Sequence, residues 1–163
     1  MICYQLSVTQ CSSEIKPTTR LVLSNEKTVS HLSAMTVQHS NMEFYDAKRA
    51  VLGPDPLRED ADFERLWRAC GDPGTRGGKM AIGAVLMNQR MIAGVGNIYR
   101  AEICFKARVH PDQPAGTLGR LALERVWRHS VDLLGRGFKQ GSILTVDEDD
   151  KRRYDFRMCD YSQ

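Results

Sequence analysis

Gln89 to Glu102 reads Gln-Arg-Met-Ile-Ala-Gly-Val-Gly-Asn-Ile-Tyr-Arg-Ala-Glu, and its residue types and spacing suit the capture of a phosphate. Gly94 and Gly96 flank Val95, so the backbone there is free to take positive φ or to approach another backbone closely. Asn97 stands where a helix N-cap is expected, ahead of Ile98, Tyr99, Ala101, Ile103, Cys104 and Phe105. A glycine-flexed bend opening into a helix presents unsatisfied backbone N–H groups and the positive end of a dipole, which attract an anion. The same residues also suit a plain tight connection between two apolar helices, and the residues alone leave both readings open.

The charge around the bend favours an anionic partner. The whole chain of 163 residues carries a formal charge of only +3. Between Arg76 and Arg136, however, ten Lys and Arg face four Asp and Glu. Basic charge beside a phosphate-type bend points to nucleic acid. The five cysteines (Cys3, Cys11, Cys70, Cys104 and Cys159) show no Cys-x-x-Cys pair, which implies reduced thiols and neither a disulfide framework nor a zinc site. The four histidines are scattered as well, so no metal is expected. No signal peptide and no membrane-length segment are expected.

Several elements must position the bend. Met80, Ile82, Val85, Leu86 and Met87 approximate a buried helical face that leads into it. Leu21-Val22-Leu23, a Ser-Asn-Glu-Lys turn and Thr28 to Leu32 read as a β-hairpin, which Thr36 to His39 could extend, with a loose extended tail as the alternative. Leu52-Gly53-Pro54-Asp55-Pro56-Leu57 punctuates the chain, because two prolines one residue apart forbid helix continuation. Asp60 to Cys70 predicts a helix with an acidic first turn. Arg76-Gly77-Gly78-Lys79 reads as a basic, flexible lead, from which either Arg76 or Lys79 is a candidate nucleic-acid contact, with an ordinary surface charge as the alternative for each. Beyond Pro111 a loop runs to Gly116. Thr117 is then expected to cap a helix to Leu134, with Leu118, Leu121, Ala122, Val126, Trp127, Val131 and Leu134 on its apolar side and Gly135-Arg136-Gly137 breaking it. Gly141 to Val146 reads as a strand or an extended lead.

The string from Gln89 to Pro111, QRMIAGVGNIYRAEICFKARVHP, resembles the helix–two-turn–helix signature of the Fpg/Nei family of DNA glycosylases, most closely its endonuclease VIII-like branch. One anchor departs: Asn88 stands where the family places Asp, which bears on one cap or buried hydrogen bond. The Leu52–Leu57 segment is similar to the family's linker. The resemblance covers roughly residues 20–157. It implies a mainly α fold, a helix–two-turn–helix domain preceded by remnant strands of a β-sandwich. The domains expected are 1–51 for the remnant, 52–59 for the linker, 60–140 for the DNA-binding domain and 141–163 for a truncated tail.

The resemblance also implies that Asn97 hydrogen-bonds a phosphate beside a flipped nucleotide, with Gly94, Val95 and Gly96 supplying backbone donors and Arg100 added charge. Glu102 is expected to be an internal partner, without a catalytic role. Family members cut with an amino-terminal proline followed by Glu, whereas Ile2 and Cys3 follow Met1 here, so no catalytic residue is expected and the chain reads as catalytically incomplete. Arg153-Tyr154 begins like the family's lead into a zinc ribbon, but Cys159 stands alone, so neither zinc nor another cofactor is expected. The implied partner is double-stranded DNA with a damaged or abasic site, bound by a monomer inside the cell, in the nucleus or nucleoid. A non-enzymatic DNA- or RNA-binding module is the alternative.

Overall fold

The computed structural model describes residues 15–146. The expectations for the first residues, and for Arg153-Tyr154 and Cys159, lie outside that range. The chain divides into two compact units with the boundary between Ala50 and Val51.

In the first unit, β1 (Thr19–Ser24) pairs antiparallel with β2 (Val29–Ser33), placing Leu21 opposite Leu32 and Leu23 opposite Ser30. Asn25 makes the turn: its Oδ1 accepts from the Lys27 and Thr28 amides at 2.9 and 2.8 Å. Thr36 to His39 forms no strand, which corrects that expectation. A helix absent from the sequence expectations comes next, α1 (Met42–Ala50), started by Asn41, whose Oδ1 accepts from the Phe44 amide at 3.0 Å. No described residue before Val51 is buried.

The second unit is a layered helical assembly: α2 (Phe63–Cys70), α3 (Arg76–Lys79), α4 (Ile82–Met87), α5 (Asn97–Ala107), a 3-10 turn (Ala115–Thr117) and α6 (Arg120–Gln140). Leu66, Ile82, Leu86, Ile92, Ile103 and Leu123 are fully buried at its centre. Asp62 caps α2 by accepting from the Glu64 amide at 2.8 Å. Arg120 ties α2 to α6: its guanidinium bonds both Glu64 and Glu124 and lies over the rings of Phe63 and Trp67, 5.3 and 5.5 Å from their centroids.

Arg76–Lys79 is not a flexible lead. It is a helical turn capped by Thr75, whose Oγ1 accepts from the Gly78 amide at 2.9 Å. Both glycines are buried, and a Cβ on Gly77 or Gly78 would overlap the carbonyl of Ala69 or Asp72. The α4 start has no side-chain cap. The loop after α5 serves instead, since the Ile82 and Gly83 amides donate to Gln113 O and Pro111 O at 2.9 and 2.8 Å.

The α6 helix departs from expectation at both ends. Gly119, at φ 73°, is its N-cap, while Thr117 sits in the preceding turn with its hydroxyl bonded to Pro114 O. The helix passes through Gly135 and Gly137 to Gln140, and Gly137 is a packing requirement there, because a Cβ on it would collide with the Tyr99 hydroxyl. Leu121 and Val131 face out, whereas Leu123, Ser130 and Leu133 face in. Gly141 to Val146 forms no strand, although Leu144 is buried.

Candidate nucleic-acid interface

The bend is built from its two ends inward. α4 stops at Asn88, whose carbonyl accepts from the Met91 and Ile92 amides at 2.8 and 3.1 Å and whose Oδ1 accepts from Arg90 N–H at 3.1 Å. An asparagine therefore performs this local turn without the family's Asp. Gln89 then clamps the bend: its Oε1 accepts from the Gly94 amide at 2.8 Å and its Nε2 donates to Val95 O at 2.9 Å. Below the bend runs the proline-marked segment. The Gly53 amide donates to Gln89 O at 2.8 Å, and the Ala93 amide donates to Pro54 O at 3.0 Å. A side chain on Gly53 would overlap the Met91–Ile92 backbone. Leu52 to Leu57 thus supports the bend directly.

That support sorts the predicted residues by what they expose. Gly94 sits at φ 87°, a conformation that requires glycine, but its amide is already taken by Gln89 and is no donor to a ligand. Val95 is 2% exposed and packs into the core, with its carbonyl held by Gln89. Gly96, not Asn97, is the N-cap of α5, with φ −108° and ψ −179°. That backbone is open to any residue, and nothing lies within 4 Å of where a Cβ would stand. The fold itself does not need a glycine there.

Asn97 is the first residue of α5, exposed, with no side-chain hydrogen bond among the described residues. The amides of Gly96, Asn97 and Ile98 likewise meet no acceptor among the described residues. The bend therefore leaves these donors without a partner among the described residues, at the positive end of an 11-residue helix. Arg100, one turn along, is half-buried and makes no ion pair among the described residues. Lys79 is exposed on α3, a different element, whose Gly77 lies beneath the Met91 side chain.

Other groups are quiet. Burial pushes the Cys70 thiol up to about 11. Burial also raises Cys104, against the pull of Arg100, so neither thiol is primed to react. Burial raises Tyr99 as well. Glu102 was expected to hold an internal partner, yet it makes no hydrogen bond or ion pair among the described residues. Phe105, in the same helix, is 80% exposed. Among the described residues no group of three or more His, Cys, Asp or Glu is placed to hold a metal ion. No helix there is long and apolar enough to cross a membrane. The residue whose role sequence reasoning missed is Gln89: the signal was an amide side chain five positions before the first glycine, long enough to reach back over the bend.

Residues 52–148, more than half of the chain, match the formamidopyrimidine-DNA glycosylase H2TH domain. The chain belongs to that family, the Fpg/Nei proteins. It is 39% identical over 97 residues to endonuclease 8 1 of Mycobacterium tuberculosis, covering 60% of this chain and 34% of the relative. It is 39% identical over 100 residues to the formamidopyrimidine-DNA glycosylase of Geobacter metallireducens, covering 61% and 36%. The MutM (Fpg) protein of Thermus thermophilus superposes with a TM-score of 0.65 at 28% identity, over 79% of this chain and 49% of that one. A mutant LlFpg in complex with a THF-containing DNA superposes at 0.53 and 26% identity, over 62% and 35%. The chain spans about a third of the length of these curated relatives.

Proposed function

We propose that this chain holds the sugar–phosphate backbone of double-stranded DNA at a damaged or abasic site, as the strand-gripping part of an Fpg/Nei-type base-excision repair protein. The observation that carries this reading is the set of amides on Gly96, Asn97 and Ile98 that meet no acceptor among the described residues, beside an exposed Asn97 side chain. A phosphate seated there accepts from the backbone and from the Asn97 Nδ2, while the helix dipole and Arg100 favour its charge. Gln89 fixes the bend beforehand, so little ordering cost falls on binding. Relatives of known structure have been seen with THF-containing and abasic DNA, which supports the choice of ligand. Contacts of this kind position the protein without reading sequence, so binding is salt-sensitive and sequence-tolerant.

Binding rather than cutting is assigned to these residues, acting as a monomer inside the cell, in the nucleus or nucleoid. Asn97→Ala tests the grip. Its affinity for an abasic duplex is expected to fall roughly tenfold, the scale of one hydrogen bond to a charged group. Its melting temperature should match the parent, because the side chain has no bond within the described fold. Equal affinity of variant and parent would remove the phosphate role. Borohydride trapping on abasic DNA addresses the chemistry: a covalent adduct to this chain would overturn the binding-only assignment.

A further inference from the structure

We infer that the outer face of α5 carries a second site, for a short single-stranded DNA segment that continues from the bend towards Arg108. This rests on the proposed function, since it extends the same gripped strand. Three independent observations meet on that face. The first is shape: two clefts, of about 730 and 420 Å³, share Phe105 and Arg108 in their linings. Arg100, Phe105, Arg108 and His110 line the larger; Phe105, Lys106, Arg108, His129 and Arg136 line the smaller, with Asp132.

The second is the ring itself. Phe105 is 80% exposed although it lies within a family-like apolar run, and it stands four residues after Ala101, beside the Arg100–Cys104–Arg108 row. The third is backbone strain. Arg108 closes α5 at φ 54°, the one non-glycine residue at positive φ among the described residues. Glycine is the ordinary choice at such a helix end. A guanidinium kept there against that preference points to work for the guanidinium.

An exposed aromatic ring flanked by cations is the arrangement that takes single strands: a base stacks on the ring while phosphates meet the basic groups. A duplex cannot use the ring, because its bases are already stacked. Arg100 and Arg108 form no ion pair among the described residues, and the acid on the smaller cleft, Asp132, is already engaged by Arg136 at 2.7 Å. Asp112, at the larger cleft, lies 3.9 Å from His110. The 11 residues of α5 span about 16 Å, room for about five nucleotides at stacked spacing.

The test compares an abasic duplex with blunt ends against the same duplex bearing an overhang of about six nucleotides beside the lesion, using fluorescence anisotropy and the full chain. The parent is expected to bind the overhang substrate roughly tenfold more tightly, the scale of one stacked base. Phe105→Ala and Arg108→Gly should lose that gain while keeping blunt-duplex affinity. Arg108→Gly relieves the left-handed strain, so its melting temperature should not fall and its loss cannot be put down to unfolding. Asn97→Ala should weaken both substrates alike. No gain from the overhang in the parent, or a gain that survives both α5 variants, overturns the second site alone. Undiminished blunt-duplex binding by Asn97→Ala overturns the grip at the bend instead.

Discussion

Residues 51–146 close around fully buried side chains such as Leu66, Ile82 and Leu86, whereas no described residue before Val51 is buried. The hairpin unit keeps its shape by local means: a strand ladder, the Asn25 turn and the Asn41 cap. A two-stranded hairpin without a buried face is marginal by itself. The helical unit depends on close approach between backbones, at Gly53, Gly77, Gly78 and Gly116, where any side chain would overlap a neighbouring main chain. The amides of Gly96, Asn97 and Ile98, next to the Gln89 clamp and the Gly53 contact, belong to the second kind of unit.

The largest expected effect comes from breaking one of those approaches. In Gly78→Ala the new methyl meets the Asp72 carbonyl, a backbone atom that cannot swing aside. Overpacking of this kind costs about 3 kcal/mol or more when main chain must move. Urea unfolding of the full chain measures it, and a midpoint equal to the parent's would show that the helical unit has slack the contrast denies it.

Smaller, and closer to function, is the clamp. Gln89→Ala leaves the Gly94 amide and the Val95 carbonyl without partners, a loss of about 2 kcal/mol. Affinity for abasic DNA should fall as well, because the bend is no longer set in advance. The two losses need not match in size. A variant that stays folded at low temperature yet binds poorly would show that Gln89 serves the bend more than the core.

How far this site was legible depends on the same contrast. The Asn-Glu-Lys turn between two β-branched and leucine-rich runs gave the hairpin away, since its cause is local. The bend was legible from Gly94 to Asn97 because left-handed backbone and a helix start both write themselves into residue types. Which amides are left without an acceptor was not, because Gln89 claims one of them by folding back over five residues. Thr117 looked like a cap, and only the path of the preceding loop hands that place to Gly119. Gly135 and Gly137 looked like breakers. Inside α6 the second is instead the notch for Tyr99, a requirement set by a residue far away in sequence. The exposure of Phe105 could not be read either, since periodicity says that a residue is apolar but not whether anything covers it.

A pH series sharpens the contrast from the surface of the helical unit. The hydrogen bond from Arg120 holds the Glu64 carboxyl below its ordinary value, helped by the charges of Arg120 and Arg68. A carboxylate whose pKa is lowered on folding contributes stability above its unfolded value of about 4.3, and that contribution is lost as pH falls through the folded value. Parent and Glu64→Gln should therefore differ in melting temperature at pH 7 and converge near pH 3. Both groups are half in solvent, so the gap at pH 7 should be small. Curves that stay equally far apart at both pH values would separate the Arg120 tie from ionisation and leave its stacking on Phe63 and Trp67 as the cause.

The smallest effect is expected in the hairpin unit. Leu23 is 60% exposed in β1 and stands opposite Ser30, so Leu23→Ser removes little packing. Exposed substitutions away from caps and cores stay within about 0.5 kcal/mol. The main unfolding transition, which reports the buried helical core, should not move at all if the two units hold themselves up separately. A drop of about 1 kcal/mol or more in that transition, twice the ordinary surface effect, would mean that Leu23 is covered in solution and that the hairpin lends stability to the helices. The division at Val51 would then be a feature of the chain's path and not of its energetics.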